Sequence, residues 1–510
     1  MNTTLATRTV ACCAIAAAGA CATAVHAQTA SQNGALSIFV NDAQSNATNL
    51  QRQAGYAVQG MCGSLAAEGG LRLTGAKQDL FLRCNEMVET ARVFQLIQPG
   101  TGRNLGYTQR SQLLAAVQQV SGEELAAQGV LSKQVSAGQF SNIGGRLSAL
   151  RMGSGRAATR GRVAMNDNEN GASHDALYAG SLYGDPGRRV GGGASADEQG
   201  GSENRLGWFV ESSYGFGDHD QTAAEDAFDY DSMSVTTGTD YNFGSSVVGV
   251  SVGYDRYNAD FDSAAFVSGG DVKVDGISGS LFAGYFGEGI TVSGIATYGK
   301  LESDVNRRVV YTSANSACTA CGALRTMSGS PDGDYVALGL TLGYEFNVGG
   351  WDITPSVSAS YRDVDIDGYT EADGGGGGLN LRYDDQKIES TRSIVGIALS
   401  RPISRSFGVL VPSLRAEWHH EFDDDVREVR AKYALEDTLL AGASGAKDFS
   451  CQISCFTMLT DRTDGDYAVA SAGLSATFPH RLQFYLFYEA LLGTANVNGN
   501  SIAAGLRGQF

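Results

Sequence analysis

The sequence predicts a mainly β protein: a 12-stranded antiparallel outer-membrane β-barrel preceded by a small α-helical region. Three observations carry this. From Arg205 onward, apolar residues alternate with small or polar ones at period two, the repeat of a strand with two unlike faces. After the first 27 residues no uninterrupted apolar run reaches the ~18 residues of a membrane helix. A chain of this kind crosses a bilayer only as a closed barrel, the other arrangement that satisfies every backbone polar group in lipid. Finally, 67 glycines, 21 tyrosines and 21 phenylalanines stand against 7 prolines in 510 residues, a composition unlike that of an ordinary cytosolic enzyme. A formal net charge of −18 repels phosphate and argues against nucleic acid as a partner.

Residues 1–27 read as a secretory signal: Arg8 is the sole charge, residues 10–25 are small and apolar, and Val25-His26-Ala27 suits cleavage before Gln28. Ala18-Gly19-Ala20-Cys21 lacks the leucine usual at a lipidation site. The signal carries off Cys12, Cys13 and Cys21 and leaves three local pairs, Cys62 with Cys84, Cys318 with Cys321 and Cys451 with Cys455. In an oxidising envelope compartment such pairs suggest disulfides. Cys318-x-x-Cys321 also has redox or metal spacing, but no second C-x-x-C or histidine partner completes a zinc set.

Residues 28–151 carry helical signals. Segments 41–62 and 78–93 have apolar residues at helical spacing, Thr74 is placed to cap the second, and Ser121-Gly122-Glu123-Glu124 has the form of a capping box before 125–150. Cys62 and Cys84 are expected near the facing ends of two helices, where a bond closing a loop of about 22 residues would contribute ~3 kcal/mol. Residues 152–204, rich in Gly, Ser, Asn, Asp and Arg, read as a flexible linker.

In the barrel region, 205–510, Val336, Leu338, Leu340, Leu342, Tyr344 and Phe346 share one face while Ala337, Gly339, Thr341, Gly343 and Glu345 share the other. Trp351, Ile353, Val357, Ala359 and Tyr361 likewise lie opposite Asp352, Thr354, Ser356, Ser358, Ser360 and Arg362. An apolar outside around a polar inside inverts the logic of a soluble barrel or sandwich. Twelve segments follow the pattern: 206–217, 231–243, 246–257, 272–285, 290–304, 333–346, 351–366, 387–401, 406–421, 465–478, 482–492 and 501–510. Short turns at 243–245, 287–289, 348–350 and 479–481 interleave with long polar loops at 218–230, 258–271, 305–332, 367–386 and 422–464. An even strand count then puts both barrel ends on the short-turn, periplasmic side. Trp208, Trp351 and Trp418 fall near strand ends, where aromatic girdles belong. Glu211, Asp240, Glu345, Arg362, Arg415, Glu417, Glu489 and Arg507 recur on the inward face; charges of both signs there can pair with one another or with a threaded segment. Ile502, Ala504, Leu506, Gly508 and Phe510 line one face of the last strand, which looks like the carboxy-terminal signal read by the barrel assembly machinery.

At these residues the sequence resembles the autotransporters, the type V secretion proteins. Arg205-Leu206-Gly207-Trp208-Phe209-Val210, Ala227-Phe228-Asp229-Tyr230-Asp231 and Thr239-Asp240-Tyr241-Asn242-Phe243 are similar to the first hairpin of the autotransporter β-domain. Gly249-Val250-Ser251-Val252-Gly253-Tyr254 and Gly294-Ile295-Ala296-Thr297-Tyr298-Gly299 continue the likeness. The resemblance implies a barrel that supports translocation of its own N-terminal passenger across a Gram-negative outer membrane and then anchors it at the surface. It implies as partners the outer-membrane lipid, the Sec translocon and the barrel assembly machinery. Family barrels hold a helix in the pore; residues 141–151 are the candidate, although about 54 residues separate them from strand one. A surface helix docked on other passenger helices is the alternative.

No catalytic, cofactor-binding or metal residues are assigned. Gly249-x-Ser251-x-Gly253 matches a hydrolase pattern, but its serine needs a strand-to-helix elbow and lies mid-strand. The His419-His420-Glu421-Phe422-Asp423-Asp424-Asp425 run has metal-capable side chains and reads as a solvated loop facing headgroups. Glycines 374–378 lack the Lys-Ser or Lys-Thr of a phosphate loop and read as a mobile outer loop. The passenger is expected to be an adhesive or scaffolding module with an unknown cell-surface ligand. A porin or channel with periplasmic helices is the alternative, and an outer-membrane enzyme with its site in the long loops is a third.

Overall fold

The computed structural model describes residues 34–97, 102–122, 138–140, 142–143, 206–222, 224–243, 245–261, 269–287, 289–440, 449–478 and 482–508. Twelve of its strands form the wall: β1 (Leu206–His219), β2 (Phe228–Asn242), β3 (Ser246–Phe261), β4 (Gly269–Phe286), β5 (Ile290–Thr312), β6 (Asp332–Tyr344), β7 (Trp351–Ile366), β8 (Gln386–Ser400), β9 (Gly408–Glu421), β10 (Asp466–Phe478), β11 (Leu482–Leu492) and β12 (Val497–Gly508). Each pairs antiparallel with its neighbour along the chain. β1 then pairs β12, with Tyr214 opposite Ile502 and His219 opposite Val497. The sheet is closed, which removes the edges that lipid could not satisfy.

The register explains the two faces. Leu342 sits opposite Val357 and Thr341 opposite Ser358; the leucine and valine are exposed on the outer wall, while the two hydroxyls meet inside at 3.0 Å. Repeated around the barrel, this leaves a continuous apolar band far larger than a soluble surface carries. Trp208, Trp351 and Trp418 face outward at strand ends. The pairs Tyr241–Phe243, Tyr344–Phe346 and Phe407–Phe478 reinforce the girdle at the short-turn end.

The long-loop end departs from expectation. The stretches 305–332, 367–386 and 422–464 hold more than polar loops. β5 continues to Thr312 and pairs with a strand at Gly322–Gly329, which pairs in turn with Ala372–Asp373. A second small sheet joins Leu381–Tyr383, Glu428–Tyr433 and Phe456–Leu459. Short alternations such as Val309 and Tyr311, Val429 and Ala431, or Phe456 and Met458 are buried and provide the reason these segments are ordered into strands.

Among the described residues, four helices from the first part of the chain pack on this end: α1 (Ala35–Asn41), α2 (Asn49–Glu68), α3 (Gly75–Phe94) and α4 (Arg110–Gln119). The first helical stretch is broken, because Thr48 and Gln51 form a reciprocal capping box at 3.2 and 2.9 Å that starts α2 afresh. Thr74 occupies the N-cap position of α3 without capping through its side chain. Glu123, Glu124 and most of 125–150 lie outside the described residues. Leu36, Phe39, Met61 and Leu65 of the helices share one hydrophobic core with Tyr311, Met327, Val429 and Met458 of the loop strands.

Candidate functional site

Residues 138–140 and 142–143 are helical and lie inside the barrel against β2 and β3. Gln139 donates from Nε2 to Asp255 Oδ2 at 2.7 Å and accepts from Thr236 Oγ1 at 2.8 Å. Asn142 Nδ2 donates to Thr236 Oγ1 at 2.8 Å and Ser234 Oγ at 3.2 Å. Phe140 is fully buried, with the Arg362 guanidinium 5.7 Å from its ring centroid. The close approach needs glycine on both partners. A methyl at Gly138 would fall 2.6 Å from Ser234 Oγ, and one at Gly253 would overlap the Gln139 amide. Of the expected pore helix 141–151, residues 142 and 143 are thus in the lumen, the helical stretch begins earlier, and Ser141 and 144–151 lie outside the described residues.

Asp240, Arg362, Glu417 and Glu489 are buried on the inner face. Arg415 pairs with Glu489 and, at 3.7 Å, with Glu417, which also meets His419 Nε2 at 3.1 Å. Glu211 accepts from the Tyr485 hydroxyl. Glu345 lies just past β6 at the short-turn end, where its N–H donates to Gly289 O at 2.9 Å. The Arg507 side chain lies outside the described ones. Arg415, Glu417 and Glu489 thus pair with one another across the wall, Glu211 meets Tyr485, and Arg362 meets the threaded segment. Asp255 and Gln139 escaped sequence reading, since each is a single polar residue whose partner lies far away along the chain, whereas Asn142 fell within the expected pore helix 141–151.

Above the lumen, the helices are docked by buried polar contacts. Arg307 donates to both carboxylate oxygens of Glu371 at 2.8 and 2.6 Å and to Gln119 O at 3.3 Å. Arg325 bridges Asp79 of α3 and Asp373, each at 2.7 Å. Glu86 accepts from the Gly322 N–H at 2.9 Å and pairs with Arg83 and Arg103 at 3.1 and 3.0 Å. Burial pushes the Glu86 carboxyl above the ordinary range although these donors pull it down. Tyr107 OH reaches Thr312 O at 2.8 Å, and Gln53 accepts from the Thr457 N–H at 2.8 Å.

The sequence profile described as "Autotransporter beta-domain" matches residues 208–489, more than half of the chain. The chain belongs to the autotransporter β-domain family. It is 32% identical over 113 residues to esterase EstA of Pseudomonas aeruginosa, covering 21% of this chain and 16% of that protein. It is also 32% identical over 111 residues to an uncharacterized protein of the trpE-trpG intergenic region of Pseudomonas putida, covering 21% and 17%. The chain thus spans about a sixth of the length of these curated relatives. The translocator domain of autotransporter NalP from Neisseria meningitidis is similar at 15% identity and a TM-score of 0.43, over 60% of this chain and 88% of that one.

Within the autotransporter barrel the remaining motifs find their places. Ser251 is 6% exposed and inward, between Val250 and Val252 at 51% and 60% on the outer wall; it sits mid-strand in β3 and not on an elbow. His419 and His420 are not in a loop. They end β9 on opposite faces, His419 stacked on Tyr467 inside and His420 paired with Asp466 at 2.9 Å outside, so strand alternation prevents them from sharing an ion. Glycines 374–378 are not a free loop either: Gly378 N–H donates to Asp79 Oδ2 at 3.2 Å, and a methyl there would fall 2.5 Å from Leu80 N. The structure joins Cys62 to Cys84 with Cα atoms 5.5 Å apart, Cys318 to Cys321 at 5.3 Å and Cys451 to Cys455 at 5.6 Å. Cys62 and Cys84 lie within α2 and α3, not at their ends. Ile502 and Ala504 face outward on β12, opposite Tyr488 and Leu486. The side chain of Leu506, and Phe510 itself, lie outside what the structure describes.

Proposed function

We propose that this outer-membrane autotransporter carries residues 28–151 through its own barrel and then holds α1–α4 at the cell surface as a fixed cap that acts as an adhesive or scaffolding module. The observation carrying this reading is the path of the chain. Helices on the long-loop side, a segment bonded inside the lumen and a first strand beginning at the short-turn end are the order expected of a threaded passenger. An open channel with periplasmic helices fits less well, since Phe140 and Ile143 fill lumen space and the helices pack at the opposite end.

The cap lacks the parts of a hydrolase. Residues 28–151 contain no histidine, so a Ser-His or Cys-His nucleophile has no base within them, and Glu86 is committed to Arg83, Arg103 and Gly322. The esterase EstA relation covers too little of that protein to transfer its activity. The domain limits 1–27, 28–151, 152–204 and 205–510 belong to the same reading, as does assembly by the Sec translocon and the barrel machinery. Intact cells displaying the full chain, probed with antibody against α2 and α3, test it. Binding without permeabilising the outer membrane is expected, and an epitope reached only after permeabilisation would place the helices in the periplasm. Saturable binding of whole cells to matrix or other cells, with no ester, peptide or glycoside turnover, completes the expected result.

A further inference from the structure

The barrel rim holds a cluster that neither the lumen nor the cap uses. His219 ends β1, Glu225 lies in the β1–β2 loop and Asp461 comes from the β9–β10 loop, 236 residues further on. The Asp461 N–H donates to Glu225 Oε1 at 2.9 Å, which fixes the two loops together and leaves Glu225 Oε2 turned toward His219. His219 Nε2 lies 3.5 Å from that oxygen and 3.5 Å from Asp461 Oδ2. All three atoms fall within 4.8 Å of one another. The imidazole is oriented by stacking on Phe228, with centroids 4.9 Å apart and planes 3° from parallel.

These separations are informative. Hydrogen bonds from nitrogen to oxygen run to about 3.2 Å, and neither Glu225 Oε2 nor Asp461 Oδ2 accepts one, although Glu225 is only 3% exposed. A buried carboxylate oxygen without a donor is costly. In contrast, ligands each about 2.0–2.2 Å from one tetrahedral ion stand roughly 3.3–3.6 Å apart. Calcium asks for six to eight oxygens, whereas one imidazole with two carboxylates suits a first-row dication. Arg427, half-buried near Glu225, offsets part of the negative charge; it donates to Gln386 Oε1 at 3.2 Å.

We propose that His219 Nε2, Glu225 Oε2 and Asp461 Oδ2 bind one zinc ion, with water in the fourth position, and that the ion clips the first long loop of the barrel to the last. Asp461 is the solvent-facing ligand, with 22% of its side chain exposed, and marks the route of entry.

The test uses the purified full chain in detergent, with any affinity tag removed and metal stripped by chelator. Competition against a chromophoric zinc chelator should find one equivalent bound. Glu225→Gln and Asp461→Asn should each weaken it by ~10-fold or more, while His420→Gln, on the outer wall, leaves it unchanged. Zinc should also slow tryptic cleavage after the exposed Arg462, next to Asp461, by ~10-fold in the parent chain and not in Glu225→Gln. Unaltered heat-modifiable mobility of the variants shows that the barrel is intact. No bound equivalent at micromolar zinc, equal affinity in Glu225→Gln, or loop protection that is the same with and without zinc would overturn the proposal; the last would mean that the two loops hold each other without an ion.

Discussion

Arg307 and Glu371 show what single residues contribute to holding the cap. The arginine is fully buried, and Glu371 further accepts from the Leu381 N–H at 2.8 Å and the Tyr383 hydroxyl at 3.1 Å. Breaking such a pair leaves a charge stranded, at a cost of about 3–5 kcal/mol, whereas replacing both members with apolar groups is often near neutral. Arg307→Met should therefore lower cap stability by about 3 kcal/mol and Arg307→Met with Glu371→Leu should recover most of it, as read by hydrogen exchange of α3 and α4 in the full chain. Glu86 gives a pH dependence of opposite sense to most carboxylates. Because burial raises its folded value above the ordinary 4.5, the folded cap binds more protons than the unfolded one in the window just above that value. Its contribution to stability is thus greatest at the acid side and falls as pH rises through the folded value. The difference in cap unfolding midpoint between the parent and Glu86→Gln should shrink as pH is lowered from 7 toward 4.5.

At the scale of elements, the threaded segment depends on Gly253. Gly253→Val keeps a residue suited to a strand but overlaps Gln139, so the bonds of Gln139 and Asn142, each worth about 0.5–1.5 kcal/mol, should be lost. Greater ion conductance across a planar bilayer than the parent, with unchanged heat-modifiable mobility, is the expected outcome. The elements divide sharply in how far the sequence revealed them. Wall strands were legible because lipid on one side and polar lumen on the other impose alternation over a dozen residues or more, as in β7. The box of Thr48 and Gln51 was legible in principle but hidden behind the apolar run around it. The strands at Gly322–Gly329 and Phe456–Leu459 were not, because a short alternation acquires meaning only when a partner buries it. The same holds for His219, Glu225 and Asp461, which share no local spacing at all.

Among the described residues one core joins helices near the start of the chain to loop strands scattered over its second half, and it continues into the barrel lumen. Residues 28–151 alone would lose the partners that Glu86, Tyr107 and Gln119 find in the loop strands, and short isolated helices are marginal in water. The purified segment should therefore show little far-UV helical signal even with Cys62 and Cys84 joined, while the full chain in detergent protects α2 and α3 from exchange. A well-folded isolated segment would contradict the shared core. Non-reducing peptide mapping of envelope-derived protein should find the three local cysteine pairs joined and no free thiol at those positions.

That shared core also bears on how such a chain can be inherited. A passenger with a self-sufficient fold could be exchanged between barrels by recombination near the linker and still function. Here a swap at residues 152–204 would leave the apolar faces around Tyr311, Met327 and Met458 bare on one product and the helices uncovered on the other. Cap and barrel loops must consequently change together, each substitution in one answered in the other, so the lineage of this surface module is tied to the lineage of its membrane anchor.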